Sequence, residues 1–227
     1  SISYWSTLAD GGIVEEGGVG KLLFDRSTAR NIYTYLGTST TLTGTSNAFT
    51  TGNSAITYGM LNLTNDTEKN SLINYIHGYD AYSSTPTAKR DWILGDILHS
   101  RPTVVHYSSS ESVTYVGAND GMLHAFIDST GEELWGFIPP DLLGSLKNLS
   151  SGTSHPYFVD TSPKTYILDA NGNGTISSAD GDKVVLIFGE RRGGSSYYAL
   201  DVTDPEAPVY LWRIGATITS PSVGAVW

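Results

Sequence analysis

Two stretches in the second half of this chain spell out the same unit, and that repeat restricts the fold more than any other feature of the sequence. The first copy contains Pro102-Thr103-Val104-Val105, Val113-Thr114-Tyr115-Val116-Gly117, Gly121-Met122-Leu123-His124-Ala125-Phe126, Asp128, Gly131 and Leu134-Trp135. The second contains Val184-Val185-Leu186-Ile187-Phe188-Gly189, Gly194, Tyr197-Tyr198-Ala199-Leu200, Asp201 and Leu211-Trp212. Each reads as a strand, a glycine turn, a strand centred on Ala, an Asp turn and a strand ending in Leu-Trp. Short turns between such strands force antiparallel neighbours, the layout of a propeller blade, with the Trp packing between blades. Ser220-Pro221-Ser222-Val223 then echoes Arg101-Pro102-Thr103-Val104. The expectation is an all-β fold, a partial β-propeller whose last blade is incomplete. Open strand edges are rarely left bare, so the remainder of a longer precursor or a partner chain is expected to complete it.

Upstream, the spacing predicts strands, a loop and one helix. Asn31-Ile32-Tyr33-Thr34-Tyr35-Leu36 is β-branched and aromatic and stops at Gly37, as a strand would. Residues 38–56 are mostly Ser, Thr, Gly and Asn and predict a long loop or edge hairpin. One short helix is predicted after a cap at Asn65 or Asp66, with an apolar stripe of Leu72, Ile73 and Ile76 and a stop at Gly78. The organisation expected is 1–91 packing on the propeller and 92–227 forming the blades, strand and turn in alternation.

Bulk properties exclude several classes of function. The 227 residues carry a formal net charge of −10, which opposes nucleic acid and anionic membrane surfaces and favours cations. No apolar run approaches the roughly twenty residues of a spanning helix. With no cysteine, a disulfide framework, thiol catalysis and Cys-ligated zinc are all ruled out. Abundant Gly, Ser, Thr, Asn and Tyr with little Lys or Glu is a habit of extracellular β proteins.

Residues 169–180 carry the clearest chemistry: Asp-Ala-Asn-Gly-Asn-Gly-Thr-Ile-Ser-Ser-Ala-Asp. Against a twelve-residue EF-hand loop, Asp169, Asn171 and Asn173 fall at positions one, three and five, and Gly174 at the sharp turn. Thr175 would offer its carbonyl, Ile176 would pin the loop to the body, Ser177 would ligate directly or through water, and Asp180 would close the set. All donors are oxygens, as hard Ca²⁺ requires. Asp replaces the usual Glu at position twelve, and the flanks, Tyr166-Ile167-Leu168 and Val184-Val185-Leu186, read as strands instead of helices. Two charged ligands predict modest affinity, on the order of 10⁻⁴–10⁻³ M. Asp182 is a possible further ligand. The bland alternative is an Asn/Gly-rich turn with no ion.

Several runs then resemble the PilY/PilC family of type IV pilus proteins. Leu94-Gly95-Asp96-Ile97-Leu98-His99-Ser100-Arg101-Pro102 is similar to a family signature. So are Tyr115-Val116-Gly117-Ala118-Asn119-Asp120-Gly121-Met122-Leu123-His124-Ala125-Phe126 and Gly131-Glu132-Glu133-Leu134-Trp135-Gly136-Phe137-Ile138-Pro139. Tyr157-Phe158-Val159-Asp160, Tyr197-Tyr198-Ala199-Leu200-Asp201-Val202-Thr203-Asp204-Pro205 and Arg30-Asn31-Ile32-Tyr33-Thr34-Tyr35 follow the family's order too. The resemblance implies the calcium-binding propeller of a cell-surface protein of a Gram-negative bacterium, at the pilus tip or outer membrane. It implies roles in pilus assembly, retraction control, adhesion and twitching motility, with pilin or minor pilins and a host or surface ligand as partners. Family calcium loops often close with Asp at position nine, where this chain has Ser177. Arg-Gly-Asp is absent.

Two other readings compete. The blade also resembles that of quinoprotein dehydrogenases, whose propellers hold pyrroloquinoline quinone and calcium, although those enzymes gather the ion's ligands from several blades. A structural filament subunit completed by a partner chain is the other alternative. No catalytic or organic-cofactor residues are assigned. His77, His99, His106, His124 and His155 lie singly, without zinc spacing, and His99 beside Ser100 has no acid partner visible in the sequence. His124 reads as a packed histidine, Asn119-Asp120-Gly121 as a hairpin turn, and Glu190-Arg191-Arg192-Gly193-Gly194 as a turn between strands.

Overall fold

The computed structural model describes residues 2, 4–6, 17–152 and 155–215. Its elements are α1 (Gly18–Asp25), β1 (Ile32–Tyr33), α2 (Asp66–Ile76), β2 (Thr103–His106), β3 (Ser112–Gly117), β4 (Leu123–Ile127) and β5 (Glu133–Phe137), then β6 (Lys164–Leu168), β7 (Lys183–Gly189), β8 (Ser196–Asp201) and β9 (Val209–Gly215). A 3-10 segment, Pro140–Leu149, separates the two groups of strands. The fold is mostly β, in two open sheets of order β1-β5-β4-β3-β2 and β6-β7-β8-β9.

The internal repeat survives into the ladders. In each sheet four successive strands form an antiparallel meander, and β1 adds in parallel to the outer edge of β5. The third strand of each slips register just after its central Ala, between Ala125 and Phe126 and between Ala199 and Leu200. Ala125 lies opposite Trp135, and Ala199 opposite Trp212.

The main core lies between the sheets. Val105, Tyr115, Ala125, Trp135 and Phe137 of the first sheet meet Val184, Leu186, Phe188, Tyr198 and Leu200 of the second. Alternation along the strands places these side chains on one face. Trp135 reaches across, its indole N–H donating to the Pro205 carbonyl at 2.7 Å. A second core covers the far side of the first sheet. There Leu72, Ile73 and Ile76 of α2 pack with Ile32, Met122, Ile138, Leu146 and Phe158. The expected cap starts α2: the Asn65 side chain accepts from the Glu68 N–H at 2.9 Å, while Glu68 Oε2 accepts from the Thr64 N–H at 3.0 Å.

Several expectations need correction. A second helix, α1, is formed over Lys21-Leu22-Leu23-Phe24. Only Ile32 and Tyr33 of the predicted 31–36 strand join a sheet. Strand and turn do not alternate throughout the second half, because Pro139-Pro140 opens the 3-10 segment, where a proline's missing N–H costs nothing. The loop 169–180, which in sequence falls between the two repeated stretches, does not lie between the two sheets. It joins β6 to β7 inside the second one. The echo at 220–223, and with it the incomplete last blade, lies outside the described residues.

Candidate functional site

Asp169 organises the loop. Its Oδ1 accepts from the Gly172 and Asn173 N–H groups at 2.8 and 3.2 Å, and its Oδ2 from Gly174 at 2.8 Å. Asn171 and Asn173 each repeat the motif two residues on, accepting from the N–H of Asn173 at 3.0 Å and of Thr175 at 2.7 Å. Gly174 takes φ +76°, the left-handed conformation a side chain resists. The chain therefore curls around its own carboxylate and amide oxygens. The Asn173 amide reaches Asp180 Oδ2 at 3.4 Å, so positions five and twelve meet across the turn. The Ser177 hydroxyl is turned away, accepting from the Ala179 N–H at 3.3 Å to cap Ser178–Asp180.

Asp182 holds the loop closed and is not a loose ligand. It is fully buried, and its two oxygens accept from the N–H groups of Ala170 and Ser177, both at 2.8 Å. Ile176 packs against the main core, and its N–H donates to the Tyr107 carbonyl at 2.8 Å. Tyr107 opens the β2–β3 turn, the equivalent connection in the first sheet, so the two turns are tied together. The donor set is hard oxygen throughout. Among the described residues no group of three or more His, Asp or Glu side chains is placed to hold a metal ion. A cation in this loop would draw on two carboxylates and on neutral amide and carbonyl oxygens.

The motifs at 94–102, 115–126 and 157–160, far apart in sequence, converge at one end of the first sheet. The Gly95 N–H donates to Asp120 Oδ2 at 2.8 Å, and the Asn119 side chain donates to Asp96 Oδ2 at 3.0 Å and accepts from the Phe158 N–H at 3.1 Å. Ser100 Oγ accepts from the Gly117 N–H at 3.0 Å. His99 does have an acid partner, contrary to the sequence reading. Its Nδ1 lies 2.9 and 2.8 Å from the two oxygens of buried Asp160. Ser100 is engaged with backbone, and the pair positions a loop.

Beneath these loops lies a buried charge cluster. Arg30 forks onto Glu133 at 2.8 and 2.7 Å and also donates to the Ile76 carbonyl at 3.0 Å. His124 bridges the two acids, with Nδ1 2.8 Å from Glu133 and Nε2 3.0 Å from Asp120. Burial alone would lower the His124 pKa, but the charge and hydrogen bond of Asp120, reinforced by Glu133, raise it to about 9. Burial likewise opposes ionisation of Glu133, and the Arg30 guanidinium outweighs it, holding the carboxyl below its ordinary range. Two cations and two anions thus cancel in a buried space. His124 is the packed histidine its strand predicted. Asp120, expected only to serve a turn, also carries half of this cluster's negative charge.

No family model matches the chain. It is 33% identical over 179 residues to the type IV pilus biogenesis factor PilY1 of Pseudomonas aeruginosa strain PAK, over 66% of this chain and 15% of that protein. The protein of the same name from strain PAO1 is 36% identical over 154 residues, 56% of this chain and 12% of its own length. A PilY1 homolog of Xylella fastidiosa strain Temecula1 is 30% identical over 193 residues, 66% of this chain and 15% of its own length. A crystal structure of the P. aeruginosa PilY1 C-terminal domain aligns over 47% of this chain and 19% of that one, at 39% identity and a TM-score of 0.32. The chain thus spans no more than about a sixth of the curated relatives it matches. This chain is a homologue of one segment of the PilY1 type IV pilus biogenesis factors.

Proposed function

We propose that this chain is a calcium-binding β-propeller segment of a surface-exposed pilus biogenesis factor, working by binding and not by catalysis. The observation that carries the reading is its identity of 30–36% with relatives named as type IV pilus biogenesis factors. Their pilus system supplies the partners we infer, pilin or minor pilins, and roles in retraction control, adhesion and twitching motility. A location outside the cell at the pilus fits the absence, among the described residues, of a helix long and apolar enough to cross a membrane. Asp169, Asn171, Asn173, Thr175 and Asp180 are the ligands we assign to calcium, with Ser177 contributing through water once its cap yields.

The second sheet supports the propeller reading. Its outer face exposes Tyr166, Leu168, Tyr197, Trp212 and Ile214. It is the face that, on the first sheet, packs against a neighbour. A Ser-x-Pro or Ser-Pro step precedes the first strand of each antiparallel meander, β2 and β6, at Ser100-Arg101-Pro102 and Ser162-Pro163, and recurs in the sequence at Ser220-Pro221. A neighbouring sheet packed as the second packs on the first would cover the exposed face. The test is a graft. Replacing the matching segment of P. aeruginosa PilY1 with this chain should retain surface pili and twitching, and the same graft carrying Asp169→Ala and Asp180→Ala should lose them. A graft indifferent to both substitutions would contradict the calcium part of the proposal.

A further inference from the structure

Away from the loop and the cluster under the first sheet, two acids meet at the junction between the 3-10 segment and the second sheet. Asp141 sits in the first turn of that segment, and Glu190 follows β7. Asp141 already accepts from three donors. Its Oδ1 accepts from the Tyr198 hydroxyl, and its Oδ2 from the Ser196 hydroxyl at 2.6 Å and the Arg213 guanidinium at 2.8 Å. Glu190 is fully buried, and its Oε2 accepts from the Ser196 N–H at 2.8 Å. Its cradle leaves no slack, since a Cβ on Gly194 would come 2.1 Å from Oε2. The other oxygen, Oε1, is buried with no N–H or O–H donor. Ser196 brings the two acids together, its hydroxyl donating to Asp141 and its N–H to Glu190, so the bare Oε1 belongs to a carboxyl held beside the Asp141 carboxylate.

Two ionised carboxylates cannot hydrogen-bond, because neither has a hydrogen to give. One proton resolves the conflict, as in other acid pairs that share a site. We propose that Glu190 is a carboxylic acid in the folded protein and donates to Asp141, so that one shared proton locks the 3-10 segment onto the second sheet. The charge balance agrees. Asp141 carries −1, Arg213 +1 and protonated Glu190 nothing, whereas loss of the proton leaves a net −1 in the junction. Tyr198, also facing Asp141, stays neutral, its pKa pushed far up by burial and by Asp141. Burial first, and then the bond and charge of Asp141, push the Glu190 pKa up to about 8 from an ordinary 4.5.

The direction of the pH effect follows. Between about 4.5 and about 8 the folded chain holds a proton that the unfolded chain has lost. Stability therefore falls as pH rises through that window, by up to about tenfold in the folding equilibrium per pH unit. Above it the junction carries unpaired charge and loosens. The device is a clamp closed at neutral and acid pH and opened by alkali.

The experiment compares the whole chain with Glu190→Gln, which keeps the shape and can donate to Asp141 but cannot titrate. Chemical denaturation from about pH 5 to about pH 9 should show the wild type losing stability relative to the variant as pH rises. Parallel pH profiles would overturn the proposal. Should the variant fail to fold, carboxyl-carbon NMR on the wild type decides instead. A glutamate resonance titrating near 8 supports the shared proton, and carboxyls that have all titrated by about pH 6 refute it. Adding calcium or magnesium separates a cation from a proton. A metal-dependent stabilisation lost in Glu190→Gln but kept in Asp169→Ala would mean that a metal ion, and no proton, joins the pair.

Discussion

The two sheets are built from the same repeat, yet they live in different surroundings. The first is covered on both faces, by the second sheet on one side and by α2 and the 3-10 segment on the other. Among the described residues the second is covered on one face only. The contrast is clearest at the equivalent tryptophans, since Trp135 is 1% exposed and Trp212 is 36% exposed. Both stand opposite the central Ala of the preceding strand, and both follow the same register slip. Identical local geometry therefore gives different burial, and what differs is the neighbour. The strand pattern specifies the sheet, and its packing depends on what stacks against it.

The first sheet also carries a cost that the second avoids. Arg30, Glu133, His124 and Asp120 are buried on its α2-facing side, where desolvation is severe and only complete mutual pairing compensates. Removing Arg30 leaves Glu133 buried, with His124 as its remaining ion-pair partner. Arg30→Ala should therefore destabilise the chain by about 3–5 kcal/mol, read by urea denaturation. A loss under about 1 kcal/mol would mean that water enters the cluster and the first sheet is not dry on that side.

Trp135→Ala should cost about 3–5 kcal/mol in the same assay, as a large core truncation does. Trp212→Ala should fall near the 0.5 kcal/mol of a surface change. Equal losses at both positions would erase the distinction between the sheets.

The raised pKa of His124 gives a pH test. The histidine's stabilising charge is fully present below its ordinary 6.5 and is lost as pH climbs through about 9. His124→Gln should thus be most destabilising near pH 6 and much less so near pH 10, a change on the order of a few kcal/mol. A pH-independent difference would mean that the histidine is neutral in the fold. A smaller effect is expected at Asp182, which ties the loop to itself through two backbone N–H groups. Asp182→Ala should cost about 1–3 kcal/mol without added metal, as the loss of buried hydrogen bonds does. Asp180→Ala should be close to neutral under those conditions, because Asp180 is exposed and its carboxylate meets the Asn173 amide only at 3.4 Å.

Much of this was legible from the residues alone. Alternation and turn chemistry in Val113–Trp135 and Val184–Trp212 marked strands because each segment is locally consistent with its place in the sheet. The Asx turns of the loop follow from the spacing of Asp169, Asn171 and Asn173. Helix α1 was not visible, because Leu22, Leu23 and Phe24 are consecutive and show no helical period. The pairing of His99 with Asp160 spans 61 residues, and Arg30 reaches Glu133 across 103. Partners that far apart are set by topology and leave no trace in local spacing. Asp182 lies just past the twelve-residue template, so from spacing it reads only as a possible further ligand and not as the residue that ties the loop.

The central claim is that the 169–180 loop takes up calcium, and calorimetric titration of Ca²⁺ into this chain and into Asp169→Ala tests it most directly. The account predicts one site with a Kd on the order of 10⁻⁴–10⁻³ M and a calcium-dependent rise in melting temperature, both abolished by Asp169→Ala. No heat, and a melting temperature indifferent to calcium, would make the loop a self-bonded turn and contradict the claim.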